Sequence, residues 1–132
     1  MFLVMNKYRR IFWDKQKLKH ELDKQWIIIK AHFENGSLLK PKHLIQCVKR
    51  YYELLCIYDD FKMFQIKETC KVTLELLEQF RDATEYFCHE LRELLLNHII
   101  KNLNKTIAMV DEYFSPKCIS NVLVYKEINN GN

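Results

Sequence analysis

The chain has 132 residues, enough for one domain-sized core, with 48% hydrophobic residues, 29% charged residues and a net charge of +4. Two glycines and two prolines supply too few tight turns for a sandwich, a barrel or a glycine-rich phosphate loop. The charge is uneven: residues 1–50 hold 12 Lys/Arg against 4 Asp/Glu, and residues 51–100 hold 5 against 10. That asymmetry predicts a basic first helix lying along an acidic one.

Met1 to Met5 is an apolar segment with Lys7, Arg9 and Arg10 after it, the reverse of the order in a signal peptide. A first helix is predicted from about Asn6, an acceptable N-cap, to Glu34. Tyr8, Ile11, Leu18, Leu22, Trp26, Ile29 and Phe33 recur in threes, fours and one seven, a core-facing stripe. Phe12, Trp13, Ile27 and Ile28 fall outside that stripe and widen it. Asn35-Gly36 predicts a left-handed stop.

Pro41 suits the first turn of a second helix. Leu44, Val48, Tyr51, Leu55 and Tyr58 form its stripe, and the short connection predicts antiparallel packing on the first helix. Asp59-Asp60 is the expected break. From Lys42 to Ser115, 74 residues pass without glycine or proline, so helix is predicted almost throughout.

Within that stretch Val72, Leu76, Phe80, Ala83, Phe87, Leu91 and Leu94 repeat in steps of four and three. They predict one long third helix from about Glu68 to Lys101. Asp82-Ala-Thr-Glu85 has the capping-box pattern, a rival signal that would start a new helix at 83; the unbroken stripe favours one helix, kinked near Asp82. A break at Asn102–Asn104 and a short fourth helix from Lys105 to Phe114 follow, ended by Ser115-Pro116. Val122 to Tyr125 has strand propensity within an extended C-terminal tail, 116–132. The predicted fold is a single all-α domain: an antiparallel bundle of three long helices, a short fourth and that tail.

Little in the sequence points to chemistry. The five cysteines, Cys47, Cys56, Cys70, Cys88 and Cys118, form no C-x-x-C and are expected as reduced thiols of an intracellular protein. Glu85, His89 and Glu93 are spaced four apart and would line one helix face, more simply a solvated face than a metal site. No cofactor, no metal site and no small-molecule substrate is expected. No run approaches the roughly 18 apolar residues of a membrane span.

Arg92-Glu-Leu-Leu-Leu-Asn-His98 resembles the signature of HEPN domains, an arginine followed four to six residues later by a histidine. The resemblance covers these seven residues, and Glu93 departs from the Asn, Asp or His favoured after the arginine. It implies a compact all-α bundle acting as a metal-independent ribonuclease, with Arg92 and His98 meeting across a dimer cleft.

The adopted reading is a non-enzymatic interaction module, an adaptor, inhibitor or complex subunit. It would meet another protein or its own copy through Tyr8, Phe12, Trp13, Ile27 and Ile28. The alternative is an RNA-directed helical domain. It would bind through Lys7, Arg9, Arg10, Lys15, Lys17 and Lys19, or cleave through Arg92 and His98. The base–aromatic interleaving of Lys7 to Trp13 also suits a membrane interface, the least favoured of these surfaces.

Overall fold

The computed structural model describes residues 14–34 and 40–114. Among these residues 90% are helical, in four helices with no strand. They are α1 (Lys15–Glu34), α2 (Pro41–Leu55), α3 (Phe61–Glu85) and α4 (His89–Phe114). The expected Asn6 cap, the Asn35-Gly36 stop and the tail from 116 onward lie outside the described residues. The chain divides into two compact units, Met1–Lys67 and Glu68–Asn132, with α3 continuous across the division.

In the first unit Asp14 caps α1, which runs from Lys15, and the predicted start at Asn6 lies outside the described residues. The Asp14 carboxylate accepts the Lys17 N–H at 2.7 Å, and the Asp14 carbonyl accepts that of Leu18. Leu18, Leu22, Trp26 and Ile29 are buried in the predicted register. Pro41 occupies the start of α2, where its missing N–H costs nothing. Leu44, Ile45, Val48, Tyr51, Leu54 and Leu55 are buried, and α1 packs on α2.

The expected break falls after α2, and Asp60 turns it into the next N-cap by accepting the Met63 N–H at 2.9 Å. Lys67 ties the turn down, donating to the Tyr58 carbonyl and pairing with Asp59 at 3.0 Å. Phe61 to Lys67 forms the first turns of α3.

The predicted single helix from 68 to 101 is two helices. α3 ends at Glu85 and α4 begins at His89. The predicted break at Asn102–Asn104 does not occur, so the fourth helix is long, running to Phe114. Asn102 holds the helix by donating from Nδ2 to the His98 carbonyl at 2.9 Å.

The second unit is a helical hairpin. Thr69 meets the Met109 sulfur at 3.7 Å, and Arg92 meets Thr84 at 2.9 Å. As α3 advances from 69 to 84 its partner retreats from 109 to 92, so the pair is antiparallel. Those spans are about 22 Å and about 25 Å of helix, a consistent register.

The register of α3 differs from the prediction. The buried positions are Met63, Ile66, Cys70, Thr73, Leu77, Phe80 and Ala83. Val72 is exposed and Leu76 is half-buried. Thr73 enters the core because its hydroxyl donates to the Thr69 carbonyl at 3.1 Å, which satisfies it within its own helix. On α4 the buried residues include Leu95, Ile99, Leu103, Ile107 and Val110, while Leu91 and Leu94 are exposed.

Candidate functional site

The turn between α3 and α4 has the geometry of a Schellman motif. The Cys88 N–H donates to the Ala83 carbonyl at 2.9 Å, and the Phe87 N–H to the Thr84 carbonyl at 3.2 Å. This motif needs a left-handed residue at its centre, and that residue is Phe87, with φ of 56°. Glycine is the usual occupant, because a side chain there costs roughly 1–2 kcal/mol. Phe87 bears that cost without burying its ring.

Arg92 closes the turn from the other side. Its Nε donates to the Thr84 hydroxyl at 2.9 Å, and that hydroxyl donates to the Phe80 carbonyl at 2.8 Å. The guanidinium lies 5.2 Å from the centre of the buried Phe80 ring, within cation–π range. α4 then opens with Glu90 in its first turn, favourable at a helix N-terminus.

The result is an apolar corner in water. Tyr86 and Phe87 are 78% and 79% exposed, and Leu91 and Leu94 on the first turns of α4 are 43% and 55% exposed. Single exposed apolar side chains are ordinary; here four large ones fall within the nine residues 86–94. Three of them, Phe87, Leu91 and Leu94, belong to the periodic stripe that the sequence analysis assigns to the core. The periodicity exists, and its C-terminal half faces solvent.

The other candidates are dispersed. Ile27 and Ile28 are exposed on α1. Tyr8, Phe12 and Trp13 lie outside the described residues, as do Lys7, Arg9 and Arg10. Lys15 and Lys17 are exposed, and Lys19 is half-buried and paired with Asp23. Lys17 and Lys19 stand about 160° apart around α1, so the three described lysines do not share a face.

Arg92 and His98 lie on one helix, about 9 Å apart along its axis and about 120° apart around it. Arg92 is half-buried and engaged with Thr84 and Phe80, and His98 is exposed. The break at 86–88 also puts Glu85 on a different helix from His89 and Glu93. Among the described residues no three His, Cys, Asp or Glu side chains gather as a metal-holding group. Nor, among them, is any helix long and apolar enough to cross a membrane.

The described thiols, Cys47, Cys56, Cys70 and Cys88, are in no disulfide, and Cys118 lies outside the described residues. Burial pushes Cys47 and Cys56 above the usual thiol value, Arg50 opposing the shift at the first and Lys67 at the second. Cys88 is exposed at the corner.

Sequence reasoning missed the corner because no glycine or proline announces the turn. The one available signal was the capping-box pattern at Asp82–Glu85, which sits where α3 ends. Compared with known proteins, the chain matches no family model, no curated protein and no solved structure.

Proposed function

We propose that this chain is a non-enzymatic protein–protein interaction module whose docking surface is the α3–α4 corner. The observation that supports this reading is the set of exposed apolar side chains Tyr86, Phe87, Leu91 and Leu94. Their positions follow from a turn fixed by main-chain bonds, the Thr84 hydroxyl and Arg92. A rigid apolar surface loses little conformational freedom on docking, so more of its burial appears as affinity. Phe87 supplies the kind of aromatic anchor that dominates interfaces. Ile27 and Ile28, exposed on α1, stand as a second contact area on the same reading.

The test is co-purification from the source cells with tagged wild type and with a Leu91→Ser, Leu94→Ser double variant. A partner held by the wild type and lost from the variant, with helical content unchanged by circular dichroism, is the expected result. A partner retained equally by both would refute the assignment of the corner.

A further inference from the structure

We infer that the partner presents a basic amphipathic helix, and that the corner reads both its apolar stripe and its charge. This rests on the proposal that the corner is the docking surface. The apolar part is set by Leu91 and Leu94, one turn apart on α4, with Tyr86 and Phe87 at its start. A ridge of that spacing fits the apolar stripe of a helix, whose anchors recur every three or four residues.

The charge comes from the surroundings. Glu85, Glu90 and Glu93 are exposed around these four residues, and Asp82, also exposed, is paired with Arg81 at 3.6 Å. From Asp82 to Asn97 the one Lys or Arg is Arg92, and its guanidinium is committed to Thr84 and the Phe80 ring. The rim is therefore acidic, and an apolar surface with an acidic rim is complementary to apolar residues flanked by Lys or Arg.

The same rim disfavours three other occupants. A second copy docked corner to corner would set the two acidic rims against each other. An anionic membrane and a nucleic acid would meet carboxylates where they need cations. A basic helix gains from both parts of the surface, and its binding should weaken with salt without disappearing, since the apolar contact is unscreened.

The test uses three fluorescent peptides of about 18 residues, or five helical turns. One is a Leu/Lys amphipathic helix, one its Leu/Glu counterpart, and one a scrambled Leu/Lys peptide without an apolar face. Anisotropy titrations use the full chain, its Leu91→Ser, Leu94→Ser variant and its Glu90→Gln, Glu93→Gln variant. The expected result is binding of the amphipathic Leu/Lys peptide alone, weakened about tenfold or more by the serine pair and about threefold or more by the glutamine pair. The glutamine pair alters exposed side chains only, so it keeps the test intact if the serine pair fails to fold. Equal binding of the Leu/Glu or scrambled peptide would overturn the inference, as would titrations that the glutamine pair leaves unchanged. Self-association in sedimentation, abolished by the serine pair, would also overturn it by making the occupant a second copy. A cellular partner cross-linked at the corner but lacking a basic amphipathic helix would remove this inference and leave the docking surface standing. A native complex unaffected by the serine pair would remove both.

Discussion

Phe87 bears a left-handed backbone and an exposed ring at one position, and the two can be separated. Phe87→Gly removes the steric cost of the side chain, so unfolding free energy should rise by about 1 kcal/mol in chemical denaturation, while partner binding weakens with the loss of the ring. A fall in stability would mean that the ring holds the turn. Arg92, half-buried over Phe80, has the opposite character: truncation to alanine removes a hydrogen bond and a cation–π contact and should cost about 1–3 kcal/mol. The half-buried Cys47 and the buried Cys56 give a pH signature. Burial raises Cys47 and Cys56 above the usual 9.0, so the folded chain holds their protons more tightly than the unfolded chain does. That contribution is fully present below pH 9.0 and is lost as pH rises through the raised values. Wild type should therefore lose more stability than Cys56→Ala between about pH 8 and about pH 10.5, and parallel curves would contradict it.

At the scale of elements, the register of α3 is the sharpest expectation. Leu77→Ala should cost about 2–5 kcal/mol and Phe80→Ala about 3–5 kcal/mol, whereas Val72→Ala, at an exposed position, should stay within about 0.5 kcal/mol. The reverse order would restore the register read from sequence. The buried faces of α1 and α2 were legible because their buried positions are all hydrophobic, and Pro41 marks the start of α2. α3 was not, because Cys70 and Thr73 occupy core positions that an apolar count passes over, while Val72 and Leu76 imitate a stripe one residue away. The long α4 was missed for a related reason. Asn102 and Asn104 resemble a break, yet Asn102 bonds back to His98 and Asn104 is buried within the helix. The 86–88 turn offers no glycine, proline or asparagine to read; its left-handed residue is a phenylalanine, which local preference argues against.

For the whole molecule, the described apolar residues divide between those that are buried and those that face solvent, and sequence periodicity alone does not distinguish them. Leu22, Trp26, Ile29, Val48, Tyr51, Leu55 and Phe80 are buried as the stripes predict, while Phe87, Leu91 and Leu94 continue a stripe into solvent. The proposal that the second group serves binding requires stability and association to respond separately. The most direct measurement is therefore paired: unfolding free energy and partner recovery for wild type beside Leu91→Ser, Leu94→Ser. The prediction is a stability change within about 0.5 kcal/mol, as for surface positions, together with loss of the partner. A loss of stability of about 2 kcal/mol or more would contradict the account, because it would return both leucines to the core.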